Sequence, residues 1–222
     1  TAGAVGVYAL CALALVAFTV VSTLGFRINV NNASFGALVA AFPNTGYMGV
    51  PMLVALLGTT AAGPAIMTIL IDLLFTSSLC VALSRLDSAG AHGARVAAGN
   101  ALRGVVANPL PWAIVLGIAY YAVGGDMPTP VFQTITLLAD AASPVALFTI
   151  GAVLARSQMT SAARTPLADY LPLALLKLLV HPMLVWALGI SAISLGIPLD
   201  SLTLTVLVLV AALPSASIAS AS

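Results

Sequence analysis

Phe42-Pro43-Asn44-Thr45-Gly46-Tyr47-Met48-Gly49-Val50-Pro51 lies within an apolar run that extends from about Asn31 to Leu57. Proline removes a backbone donor and clashes with the turn before it, so a helix cannot pass position 43 undisturbed. The run is apolar enough to enter a bilayer, and its breaker, Phe42 to Gly46, stands near mid-depth. Lipid offers no partner to freed amides and carbonyls, so such a break survives only where protein or a watery cavity supplies one. A second apolar run, from Leu199 to the chain end, carries a second breaker at Leu213-Pro214-Ser215. Two interrupted hydrophobic segments in corresponding places of two halves point to the binding site of a secondary transporter.

Composition agrees with a membrane setting. Of 222 residues, 61% are hydrophobic and 6% charged, with a mean hydropathy of +1.15. A soluble domain carries about 25% charged residues, so this chain cannot clothe a water-facing surface, and an all-α polytopic membrane protein is expected. The net charge of +1 gives no argument for a nucleic-acid partner, and none is expected. Cys11 and Cys80 both lie in apolar runs and read as small core residues. No CxxC, HExxH, phosphate-binding loop or GxGxxG occurs. No cofactor or metal is therefore expected, and no enzyme. Ser143 with His181 is the one nucleophile–base combination available, and no motif supports it.

With roughly 20 apolar residues needed per crossing, seven spans are expected, at about 4–26, 31–57, 62–83, 108–124, 130–155, 168–195 and 199–222. The long linker 84–107 is expected to carry an amphipathic surface helix over Ala94 to Val106. Arginines 27, 85, 95, 103, 156 and 164 follow spans one, three and five. The loops after spans two, four and six hold Asp126 and Asp200 and no basic residue. Six against none is a positive-inside signal, placing the 84–107 linker in the cytoplasm.

The two interrupted spans are then crossed in opposite directions and lie five steps apart, as an inverted repeat of five spans requires. The organisation expected is an end of the first repeat over 1–83, the cytoplasmic linker 84–107, and a second repeat over 108–222. Alignment on the breaks places two spans before Thr1 and one after Ser222, ten in an intact protein with about seven in this chain.

The residues also resemble a family. Phe42 to Pro51 resembles the fourth-helix signature of the auxin efflux carriers. Ala142-Ser143-Pro144-Val145-Ala146-Leu147-Phe148-Thr149-Ile150-Gly151 resembles the seventh. Lys177-Leu178-Leu179-Val180-His181-Pro182 and Ala212-Leu213-Pro214-Ser215-Ala216 are similar to the eighth and ninth. The resemblance covers almost the whole chain in order and spacing. It implies two inverted five-helix repeats, a scaffold, a transport domain with two crossing broken helices, and a homodimer. It also implies a small organic anion such as malonate as substrate, with the short linker resembling the bacterial branch and the architecture that of bile-acid symporters. Where the family places an asparagine four residues after the ninth-helix proline, this chain has Ile218. Asn44 alone carries over as a crossover asparagine, and Ser215 and Ser217 offer hydroxyls in place of the second.

Physical reasoning reaches an anion independently. A broken helix leaves open amides at the start of its second half, with the positive end of a helix dipole behind them. Around them the candidate substrate-binding residues are Pro43, Asn44, Thr45, Gly46, Tyr47, Pro214, Ser215 and Ser217. The alternative is a pair of kinked packing helices whose small residues ease close contact.

Four ionisable residues lie deep in spans: Asp72, Asp140, Lys177 and His181. A charge at a helix centre costs roughly 2.5–3.5 kcal/mol on insertion scales, so each asks for a partner or a task. They are candidates for coupling or charge balance, with H+ or Na+ as the possible coupled ion. A static Asp–Lys pair fastening helices is the competing reading. Alternating-access transport is the function expected, and an anion channel or potential-driven uniporter using the same broken-helix site is the alternative.

Overall fold

The computed structural model describes residues 2–24, 30–84, 99, 103, 106, 109–124, 127–160 and 167–215. Among these, regular structure is helical apart from an isolated antiparallel bridge between Pro43 and Ser215. In chain order the helices are α1 (Ala2–Leu24), α2 (Val30–Ala41), α3 (Thr45–Leu57), α4 (Thr59–Ser84), α5 (Pro109–Ala122) and α6 (Thr129–Thr160). Then come α7, a continuous run of Leu167–Leu175, Leu176–Val180 and His181–Ser194, and α8 (Ser201–Ala211). Ala2–Thr23, Thr59–Ser84 and Leu171–Ser194 are long and apolar enough to cross a membrane, while Thr45–Leu57, Trp112–Ala122 and Ser201–Ala211 are apolar but shorter.

Several boundaries differ from the sequence reading. The first interruption is narrower than Phe42 to Gly46, because Thr45 and Gly46 already belong to the next helical turn. Helix α6 runs to Thr160 rather than 155, and passes Pro144 as the single span expected over 130–155 does. Of the amphipathic helix expected at 94–106, Gly99, Arg103 and Val106 are described, all helical and exposed. The remainder of that helix, and the last span beyond Ser215 with Ser217 and Ile218, lie outside the described residues.

Three helices contain a turn widened to i→i+5 bonding: Thr45–Gly49 in α3, Asp72–Thr76 in α4 and Leu176–Val180 in α7. Two have a clear cause. Pro51 and Pro182 each stand two residues past the widened turn, where an ordinary turn would drive the proline ring into the carbonyl four residues back. Adding one residue to the turn moves that carbonyl aside, and the Val50 and His181 amides reach Thr45 and Leu176 instead. No proline follows in α4, where the Thr76 hydroxyl bonds Asp72 across the widened turn. Such turns occur mostly as single insertions and often at functional sites.

The chain forms two compact units, one of 1–108 with 167–222 and another of 109–166, a grouping that cuts across the repeat boundaries read from sequence. In the first, α1 packs against α2, α4, α7 and α8. Its buried residues Ala4, Val7, Tyr8, Cys11, Ala12, Leu15, Val16 and Thr19 recur at helical spacing and form one inward stripe. The first half of that stripe joins Leu53, Ala65, Val185, Leu207 and Val210 in one core cluster. The second half joins Ala37, Leu38, Ala40, Ala41 and Cys80 in another. Cys11 and Cys80 are free thiols in these cores. Helices α7 and α8 approach so closely at Gly189 that a methyl group there would collide with Leu204.

In the second unit, α5 ends at a turn in which Gly124 takes φ +67°, and the Val131 and Phe132 amides of α6 bond the Pro128 carbonyl. Along α6 the hydroxyls of Thr134, Thr136 and Thr149 each donate to the carbonyl four residues back.

Candidate functional site

The chain around Pro43 meets the chain around Pro214. Helix α2 stops at Ala41, and Pro43 has no N–H to give the Val39 carbonyl, its partner in a continuing helix. The Ser215 hydroxyl donates to that carbonyl instead, at 2.7 Å. One residue on, the Asn44 amide bonds the Pro214 carbonyl at 2.9 Å. Each segment thus supplies a partner for backbone that the other's break exposes.

Asn44, buried at 6% exposure, begins α3: its carbonyl accepts from the Met48 and Gly49 amides at 3.2 and 3.0 Å. Its side chain does not cap the helix. The first turn of a helix leaves its leading amides without intrahelical partners, here those of Thr45, Gly46 and Tyr47. Gly46 and Tyr47 are exposed, whereas the Thr45 hydroxyl is buried without a hydrogen-bond partner. Gly49 is tightly held, since a Cβ there would come within 2.7 Å of Leu213 and 3.2 Å of the Thr45 side chain. The site therefore offers open amides, an uncommitted carboxamide and a free hydroxyl, all neutral groups suited to an anion at a helix N-terminus.

A second constellation lies at the widened turns of α4 and α7. Asp72 accepts from the Tyr8 hydroxyl at 2.9 Å and from Thr76 at 3.1 Å. Lys177 Nζ lies 3.0 Å from His181 Nδ1. An ammonium only donates, so Nδ1 accepts and the neutral ring carries its proton on Nε2, an atom that is buried without a partner. The Tyr8 and His181 rings are 6.1 Å apart. All five side chains are at most 2% exposed. Asp72 and Lys177 act on each other electrostatically, although Lys177 makes its hydrogen bond to His181.

Of the residues singled out from sequence, Pro43, Asn44, Thr45, Gly46 and Tyr47 gather with Pro214 and Ser215 at the crossing. Asp72, Lys177 and His181 gather in the buried cluster. Asp140 lies on an exposed stretch of α6 in the other unit. The sequence reading missed Tyr8 and Thr76. A lone tyrosine inside the apolar first span was the available signal, because a buried phenol seeks a partner for its hydroxyl.

Residues 93–221 match the family described as membrane transport protein. Over 208 residues the chain is 30% identical to a protein of Rhizobium meliloti named provisionally as a malonate transporter, covering 91% of this chain and 62% of that protein. It is 28% identical to an uncharacterized transporter of Escherichia coli K12, covering 83% of this chain and 56% of that protein. An uncharacterized transporter of Methanothermobacter thermautotrophicus is 30% identical over 82% of this chain and 55% of its own length. The chain thus spans a little over half the length of these relatives.

Proposed function

Since this chain belongs to the membrane transport protein family, that of the auxin efflux carriers it resembles in sequence, we propose that it forms the substrate-binding part of a secondary carrier for a small carboxylate. Coarsely, it is a helical integral membrane protein of a transporter family. The finer reading is alternating access by two inverted five-helix repeats, whose interrupted helices cross at the site and move against a scaffold. A homodimer in a bacterial inner membrane, with the 84–107 linker cytoplasmic, belongs to the same reading.

The observation that carries it is the reciprocal crossing of Pro43-Asn44 with Pro214-Ser215. Two breaks that only kinked packing helices would have no need to meet backbone to backbone. Their meeting gives the Val39 carbonyl stranded by Pro43 a partner in Ser215, and leaves the leading amides of α3, the Asn44 carboxamide and the Thr45 hydroxyl for a ligand. These donors hold no fixed charge, so they select an anion by dipole and hydrogen bonding and can release it again. Tyr47, 54% exposed beside the open amides, is placed to cover a bound anion. The provisional name of the Rhizobium relative makes malonate the first substrate to test.

The test is uptake of radiolabelled malonate and indole-3-acetate into proteoliposomes holding the complete protein, beside Asn44→Ala. Saturable uptake and counterflow exchange of one acid, reduced at least tenfold in the variant, is the expected outcome. Uptake that Asn44→Ala leaves unchanged would remove the crossing as the site, and flux without counterflow would favour a channel.

A further inference from the structure

Asp72 on α4 stands about one helical turn from a residue that borders the crossing. A Cβ at Gly46 would lie 4.0 Å from Ile69, which precedes Asp72 on α4 by three residues, about one helical turn. Lys177 is the only lysine of the chain and, among the described residues, the only buried side-chain cation apart from the titratable His181. Asp72 is the buried carboxylate that acts on that charge electrostatically, while the lysine's hydrogen bond goes to His181. An anion entering the neutral donors at the crossing therefore adds an uncompensated negative charge beside a neutral buried cluster. In a low-dielectric interior that is costly unless a positive charge arrives with it.

We propose that Asp72 is a proton-binding group which takes up one proton with each substrate anion, making the carrier an anion–proton symporter. The step adds a proton from the water on the side of entry to a carboxylate oxygen of Asp72. One O–H bond forms, Asp72 becomes neutral, and the charge of Lys177 is freed to offset the bound anion. Release on the other side reverses both events.

The surroundings of Asp72 fit the task. From α1 it meets the Tyr8 hydroxyl, with Cys11 one turn further along, and from α7 it meets the charge of Lys177, itself bonded to His181. Within its own helix the Thr76 hydroxyl reaches its other oxygen. Helices α2 and α8 contain no titratable side chain, and the one on α3, Tyr47, is exposed. Asp72 is thus the only carboxylate in the described interior of its unit. Its partners are two hydroxyls, groups that can accept from a carboxylic acid as well as donate to a carboxylate. They suit both protonation states, whereas a directly paired lysine would hold only the ionised one.

The inference rests on the carrier reading, and its test separates the two. The complete protein is reconstituted in sodium-free choline buffer, with the membrane potential clamped at zero by potassium and valinomycin. Malonate accumulation is measured with and without an inward proton gradient, beside counterflow exchange without a gradient. For one proton per anion, wild-type accumulation rises by about tenfold per pH unit of gradient. Asp72→Asn is expected to keep exchange and lose all accumulation driven by the gradient. Tyr8→Phe, a smaller change at the same carboxylate, is expected to shift the pH profile of exchange while preserving flux.

Wild-type exchange that no proton gradient drives, or accumulation that follows added sodium instead, overturns the proposal. So does gradient-driven accumulation surviving in Asp72→Asn, or an unshifted profile in Tyr8→Phe. Absence of malonate exchange in the wild type overturns the carrier reading for that acid, and this inference with it.

Discussion

The Ser215 hydroxyl bonds the Val39 carbonyl, 176 residues away in sequence, at 2.7 Å. It takes the place of the amide that residue 43 would supply if it were not proline, so one interrupted segment mends the ladder of the other. Ser215→Ala leaves that carbonyl unpaired and should cost about 0.5–1.5 kcal/mol, the usual net worth of such a bond. Ser215→Thr, which keeps the hydroxyl, should cost less. Thermal unfolding in detergent of the two variants beside the wild type measures the difference, and equal losses would mean that the hydroxyl is idle.

The two glycines after the first break should behave oppositely. Gly49→Ala places a methyl group against Leu213 and Thr45, and should destabilise the crossing by about 1–3 kcal/mol, as overpacking does. Leu213→Ala in the same chain should recover part of that loss, which a double-mutant cycle of unfolding temperatures would read. At Gly46 the nearest atom is 4.0 Å away, so Gly46→Ala should leave stability unchanged. It should nevertheless raise the KM for malonate, because the methyl group sits among the open amides. A Gly46→Ala protein with unaltered KM would separate those amides from the substrate.

Lys177→Met strips the buried Asp72 charge of its counterpart. Because Asp72 takes its hydrogen bonds from Tyr8 and Thr76 rather than from Lys177, the loss should fall below the roughly 3–5 kcal/mol of a directly paired buried charge. Removing both charges in Lys177→Met with Asp72→Asn should restore most of that stability. Unfolding of the single and double variants distinguishes this from the additive losses that two independent positions would give.

Asp200 caps α8, accepting from the Thr203 amide at 2.8 Å and from its hydroxyl. These hydrogen bonds from Thr203 hold its carboxyl below the usual carboxylate range. A depressed acid stabilises the folded state above its unfolded pKa and loses that contribution as pH falls through its folded value. Helix α8 should therefore lose amide protection under acid conditions, below the ordinary carboxylate range. Hydrogen exchange of its first turn would show this, with Asp200→Asn flattening the pH dependence while keeping much of the cap.

Much of the architecture was legible because the relevant signals are local. Long apolar runs mark Ala2–Thr23, Thr59–Ser84 and Leu171–Ser194, and proline marks where α2 stops. The edges of the first break were less legible. A single proline states that a helix is disturbed, but the turn beginning at Thr45 restarts within two residues because Asn44 finds its amide partner at Pro214.

The buried cluster shows the division from the other side. Sequence alone identified Asp72, Lys177 and His181 as ionisable residues too deep in apolar spans to stand alone, since the cost of a charge in hydrocarbon depends only on depth. It left Lys177 with two possible carboxylate partners and passed over Tyr8 altogether. Only the packing of α1 against α4 brings the Tyr8 hydroxyl to Asp72, whereas the contact of Lys177 with His181 follows from their spacing of four on one helix. By itself the sequence determined that this chain is a helical membrane protein with prolines inside two apolar runs and a few expensive charges, because apolar length, proline and charge act residue by residue. Which backbone groups close the breaks, and which side chains share the charges, was decided by tertiary structure, because hydrogen bonds and ion pairs form between groups that helix packing brings within about 3 Å.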